Sequence, residues 1–186
     1  MTDQTFQKAQ ARKAAFARRK EAHSEVRSAL GLAHLLGVLT DHKSTPLAGY
    51  MPIRTEITPL PAMAAMAAWS TIGVPYIEAA GQPLKFAKWR PDSHMVDGPF
   101  GAQVPAELEF FEPEVLIVPL VSFDRNGGRL GYGGGFYDRT LEGLRAKRPT
   151  LAIGYAYAAQ EAEGLPLEPT DQPLDMIVTD EGVIRF

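Results

Sequence analysis

The chain has 186 residues, no cysteine and a formal net charge of −3. That length suits a single domain with a sizeable core. The lack of cysteine excludes disulfides, thiolate nucleophiles and Cys-ligated zinc, and the acidic total argues against a nucleic-acid-binding protein.

Residues 5 to about 38 read as an N-terminal basic helix. Phe6, Phe16, Val26, Leu30, Leu32, Ala33, Leu35 and Leu36 give it a broken apolar pattern. Lys8, Arg12, Lys13, Arg18, Arg19, Lys20 and Arg27 outnumber Glu21 and Glu25 there. A transit peptide would share this basic character, but the interleaved acids weigh against one, and no apolar core of a secretory signal is present. No segment approaches the roughly 20 apolar residues of a membrane helix. A cytoplasmic protein without a membrane partner is therefore expected, and a monomer.

Residues 47–51 read as a strand, 59–71 as a helix and 72–77 as the strand after it. Residues 84–89 alternate as a half-buried or edge strand does. Four prolines (Pro91, Pro99, Pro105, Pro113) and two glycines make 90–113 a long ordered loop with a turn or two. A strongly apolar strand follows at 115–121, then a glycine loop, a helix from residue 137 and a strand at 150–154. A short helix near 158–163 and strands at 176–179 and 183–185 close the chain. Strands alternating with helices, with apolar central strands, indicate an α/β domain built on a mostly parallel sheet. Ligands of such sheets gather at the carboxyl ends of the strands. No repeat or low-complexity linker divides the chain, so residues 1–186 are expected to form one domain.

Six of the nine residues from Gly127 to Gly135 are glycine, within Arg129-Leu-Gly-Tyr-Gly-Gly-Gly-Phe-Tyr-Asp138. Glycine permits positive φ and removes the Cβ that would hold a ligand away. A helix start beyond the run offers unpaired N–H groups to an anion. Strand, glycine loop and helix read as a phosphate cradle, although glycine also marks ordinary surface turns. The run is neither a Walker A sequence nor a dinucleotide fingerprint, so the pattern says phosphate without naming a nucleotide. Asp138, in the first turn of the helix, can complement the helix dipole or, beside a polyphosphate, ligate Mg²⁺. Lys8, Arg12 and Arg19 fall within roughly 40° on a helix. Such a stripe is ordinarily a solvated face, but with a phosphate loop it can neutralise charge. Glu56 follows the first strand, and Asp171 and Asp175 precede the penultimate one; turn and cap roles also suit these three. His23, His34, His42 and His94 lack ligand-like spacing, and no G-x-S-x-G is present.

The decamer 129–138, preceded by Val118-Pro-Leu-Val-Ser-Phe-Asp124, resembles the 5-formyltetrahydrofolate cyclo-ligase family. Lys8-x-x-x-Arg12, Glu56-Ile57 and the late Asp171 fit the family's order, so the resemblance covers nearly the whole chain. It implies an open three-layer α/β sandwich and ATP-dependent conversion of 5-formyltetrahydrofolate to 5,10-methenyltetrahydrofolate, ADP and phosphate through an N5-iminium phosphate. It also implies roles. Lys8, Arg12, Arg129 and Asp138 would be catalytic, and Lys8 and Arg12 would hold ATP together with Arg129, Leu130, Gly131, Tyr132, Gly133, Gly134, Gly135, Phe136 and Tyr137. Met51, Glu56 and the segment from Tyr132 through Gly133, Gly134 and Gly135 to Phe136 would contact the folate. Asp138 and Asp171 would bind Mg²⁺. Two positions depart from the family's pattern: Val104-Pro105 stands where Glu-Pro is common, and Phe136-Tyr137 where Tyr-Tyr is. The alternative is a non-catalytic or differently specific folate- or nucleotide-binding relative. A nucleic-acid module built on the basic helix lacks a second basic patch, and a sugar-phosphate isomerase would not need the Mg²⁺ carboxylates.

Overall fold

The apolar run that begins at Val115 is the centre of the molecule, where a strand buried on both faces has to lie. The computed structural model describes residues 3–186. In chain order the elements are α1 (Asp3–Ala22), α2 (Glu25–Leu39), β1 (Leu47–Ala48), α3 (Leu60–Met66), β2 (Ile72–Tyr76), β3 (Lys85–Lys88), β4 (Met95–Asp97) and β5 (Gln103–Pro105). They continue with β6 (Phe110–Phe111), β7 (Val115–Pro119), β8 (Ser122–Phe123), β9 (Arg129–Leu130), α4 (Phe136–Lys147), β10 (Leu151–Tyr155), β11 (Met176–Val178) and β12 (Val183–Arg185).

Eight strands form the main sheet in the order β12-β11-β10-β7-β1-β2-β3-β6. The five central strands run parallel, while β12 and β3 pair antiparallel at either side, and β6 pairs antiparallel with β3. Successive side chains of β7 point to opposite faces. Val115 and Ile117 therefore pack with Leu35 and Leu39 of α2 and Met63 of α3, and Leu116 and Val118 with Leu141 and Leu144 of α4. Helices, sheet and helix make the three layers that the resemblance implies. No helix among the described residues is long and apolar enough to cross a membrane.

From β1 the chain moves to β2 on one side and then returns to β7 on the other. The winding reverses at the β1–β7 junction, and a crevice opens there beyond the strand ends.

Three local expectations are corrected. The basic helix expected over 5–38 is two helices, because Ser24 takes an extended backbone (φ −156°) and its Oγ accepts the Arg27 N–H at 3.3 Å as the N-cap of α2. The 90–113 loop contains a β4–β5 hairpin and leads into β6. The glycine run is not one loop either. Asp124 Oδ1 accepts the N–H groups of Asn126 at 2.8 Å and Gly128 at 2.9 Å, so Gly127 and Gly128 turn the hairpin β8–β9. The cradle proper is 131–135.

Candidate active site

A cavity of about 730 Å³ occupies the crevice at the switch point. Tyr50 and Met51 after β1, Pro75 and Ile77 at the end of β2, and Pro119 of β7 form part of its wall. Helix α1 crosses it with Lys8 and Arg12, and the segment from Arg129 to Asp138 forms the opposite side. Every residue that the sequence singles out for nucleotide, folate or metal lines this one cavity: Lys8, Arg12, Met51, Glu56, the ten from Arg129 to Asp138, and Asp171.

The cradle closes onto α1. Arg12 Nε donates to the Gly131 carbonyl at 2.8 Å. Gly133 sits at φ 101°, where a Cβ would come within 3.1 Å of Arg12 Nη2, so only glycine allows this approach without strain. Gly135, at φ 64°, is the N-cap of α4 and has no side chain to satisfy the helix's first N–H groups. Gly135, Phe136 and Tyr137 line the cavity, so the start of the helix borders it, which suits an anion.

Two further groups point to a ligand. The Tyr137 hydroxyl and Arg129 Nε are buried, and neither has a hydrogen-bond partner among the described residues. Orphaned buried polar groups of this kind cost about 1–3 kcal/mol each until something satisfies them. Burial raises the Tyr137 phenol well above its ordinary pKa, so it stays a donor. Burial also lowers the Arg129 guanidinium, against the charge of Asp138, which raises it.

The carboxylates divide into two groups. Asp138 Oδ1 accepts from Arg129 Nη2 at 2.5 Å and from the Gln172 N–H at 2.9 Å. Asp171 Oδ2 accepts the Glu168 N–H at 2.8 Å, and Lys8 Nζ lies 3.1 Å from Glu168 and 3.9 Å from Asp171. Asp138 thus does more than complement the helix dipole. No group of three or more His, Asp or Glu among the described residues could hold a metal alone. Two cavity-lining carboxylates beside a phosphate cradle fit Mg²⁺, which takes the rest of its oxygens from phosphate and water.

Glu56 stands apart, nearly buried. Its Oε2 accepts the Ile53 N–H at 2.9 Å and its Oε1 the Tyr132 hydroxyl at 2.8 Å, which leaves a lone pair on each oxygen. Burial raises its pKa, opposed by those two hydrogen bonds and by Arg19. The Tyr132 phenol is pushed up to about 12, chiefly by burial. The sequence sets Arg19 on the α1 stripe, as a solvated residue or one that neutralises phosphate charge, yet it is buried and donates to the Tyr132 oxygen at 2.7 Å. Its spacing of 12, 16 and 19 with Arg12 and Phe16, one face of a helix, is the signal that could have found it.

Fold and site together define an open α/β protein with a glycine-walled cavity, lined by Lys8, Arg12 and Arg129, at its switch point. Residues 4–180 match the model of the 5-formyltetrahydrofolate cyclo-ligase family, and the chain belongs to that family. It is 32% identical to the 5-formyltetrahydrofolate cyclo-ligase of Mycolicibacterium smegmatis over 149 residues, covering 74% of this chain and 75% of the relative. To the Haemophilus influenzae enzyme of that name it is 43% identical over 101 residues, 51% of this chain and 54% of the relative, so the matched stretch spans about half of that protein. The NMR structure of Aquifex aeolicus 5,10-methenyltetrahydrofolate synthetase superposes with a TM-score of 0.78 at 29% identity, covering 96% of this chain and 92% of that one. The Mycoplasma pneumoniae synthetase shares the fold, with a TM-score of 0.69 at 24% identity over 96% and 99% of the two chains.

Proposed function

We propose that this chain catalyses the ATP-dependent cyclisation of 5-formyltetrahydrofolate to 5,10-methenyltetrahydrofolate. One observation carries the reading within the family: a phosphate-type cradle and a nearly buried carboxylate line the same cavity. An ATP-driven reaction on a pterin needs both, side by side.

In this reading Lys8 and Arg12 hold the ATP phosphates, and the backbone from Arg129 to Tyr137 wraps the nucleotide. Glu56 accepts the 2-amino and N3 hydrogens of the pterin on its two remaining lone pairs. Met51 and the segment from Tyr132 to Phe136 contact the folate. Asp138 and Asp171 are the residues that would hold Mg²⁺, which would screen the phosphate charge. The formyl oxygen attacks the γ-phosphorus and ADP departs, giving an iminium phosphate at N5. N10 then adds to that carbon and loses its proton, and inorganic phosphate leaves with the former formyl oxygen. Phosphate is a far better leaving group than oxide, so a weak amine suffices. The protein's task is positioning and charge stabilisation, which needs no Cys or His nucleophile.

One domain of residues 1–186 supplies the whole site, because α1 contributes cations and the sheet contributes the strand ends. Incubation with 5-formyltetrahydrofolate and Mg-ATP should produce the methenyl chromophore, and omission of ATP should abolish it. Folate binding without chromophore would identify a binding relative that does no chemistry.

A further inference from the structure

Arg19 has no part in the assignments above, yet it is the least exposed charged side chain of the described residues, at 1%. A guanidinium withdrawn from water needs partners that offset its lost hydration. Nη1 donates to the Tyr132 hydroxyl at 2.7 Å and Nε to Thr55 Oγ1 at 3.1 Å, and Nη1 lies 3.9 Å from Glu56 Oε1. The Tyr132 hydroxyl passes its own hydrogen to that same Glu56 oxygen at 2.8 Å. Phe16 completes the enclosure, with the guanidinium 5.2 Å from its ring centroid and Tyr132 packed at 5.7 Å. Donors run in one direction, from Arg19 through Tyr132 to Glu56.

We propose that Arg19 is a positioning residue for the pterin carboxylate: with the Tyr132 phenol as intermediary, it holds Glu56 ionised and fixed at the cavity wall. This rests on the assignment of Glu56 to the pterin ring. The need is physical. A protonated Glu56 would carry a hydrogen on one oxygen and could not accept both hydrogens of an aminopyrimidinone edge. Burial drives it toward that state. The titratable groups facing Glu56 are Arg19 from α1, Tyr132 from the cradle, Tyr50 after β1 and Tyr137 from α4. The three phenols all have raised pKa values, so Arg19 is the one of the four that carries charge near neutrality.

The test is calorimetric titration of 5-formyltetrahydrofolate, without nucleotide, from about pH 4.5 to about pH 9. The proteins compared are the parent, Arg19→Met, Arg19→Lys and Tyr132→Phe, each checked for folding by thermal unfolding. Affinity needs the ionised carboxylate, so in the parent it is full above the raised Glu56 pKa and falls as pH drops through it. In Arg19→Met the fall should begin about one pH unit higher, which makes affinity at the parent's midpoint about fivefold weaker, with recovery at the alkaline end. Arg19→Lys, which keeps the charge, should return most of the profile, and Tyr132→Phe should shift it in the same direction as Arg19→Met. Should Arg19→Met fail to fold, the other two variants carry the comparison. Coincident profiles in parent and folded variants would overturn the proposal, and so would an equal loss at every pH, which marks mere packing. A parent that binds no folate would remove the pterin assignment, and this proposal with it, a result unlike either of those.

Discussion

Arg129 and Asp138 form an ion pair that spans the cradle, with Nη2 donating to Oδ1 at 2.5 Å. The same oxygen accepts the Gln172 N–H, so one carboxylate ties strand β9, the first turn of α4 and the segment carrying Asp171. Arg129 is nearly buried, and its charge has no other ion-pair partner among the described residues. Asp138→Asn should therefore weaken the fold as well as the chemistry. We expect a loss of about 3 kcal/mol, the low end for breaking a buried pair, and a fall in ATP-dependent turnover of about a hundredfold or more. Thermal unfolding and turnover at saturating Mg²⁺ measure the two effects. Unchanged turnover would confine Asp138 to the structural pair.

Much of this was legible in the chain, and what was not has definite causes. The β7 run and the glycines before α4 carried strong local signals, because a strand buried on both faces is apolar throughout and a close backbone approach demands glycine. The hairpin β8–β9 was hidden inside the glycine run, although Asp124-Arg-Asn-Gly127 holds the Asx-turn chemistry that builds it. Prolines masked β4 and β5, where Pro105 pairs with Met95 at a strand end. The role of Arg19 was not legible, because whether a cation stripe meets water or a tyrosine depends on what the rest of the chain packs against it.

Arg12 and Gly133 make a linked prediction. The guanidinium occupies the space that a Cβ on Gly133 would approach, at 3.1 Å from Nη2. Gly133→Ala should displace it, besides straining a backbone at φ 101° by about 1–2 kcal/mol. Arg12→Ala and Gly133→Ala should then each raise KM for ATP several-fold, with folate affinity little changed in Arg12→Ala, and the double variant should cost less than the sum of the two. Additive effects on KM would separate the residues.

Glu56→Gln should give the opposite pattern. An amide presents one acceptor oxygen where the carboxylate presents two, and it loses a charge-assisted bond. Folate binding should weaken about tenfold to a hundredfold, with ATP affinity retained. Titration of each ligand separately decides it, and unaltered folate affinity would move the pterin elsewhere in the cavity.

The route of the formyl oxygen tests the chemistry itself. The chain has no thiol, its four histidines show no catalytic spacing, and no serine motif of a hydrolase is present. A covalent acyl-enzyme therefore lacks the activated thiol, serine or histidine that such chemistry commonly uses. What lines the cavity is an anion cradle, the cations Lys8 and Arg12, and two carboxylates suited to Mg²⁺, a set that favours direct phosphoryl transfer to a substrate oxygen. If the formyl oxygen attacks phosphorus, its bond to phosphorus persists when N10 closes the ring and its bond to carbon breaks. Substrate labelled with ¹⁸O in the formyl group should then yield inorganic phosphate carrying the label, read by mass spectrometry of the released phosphate. Label recovered in water would mean that the oxygen left without being phosphorylated, and the iminium phosphate would have to be abandoned even if every binding prediction held.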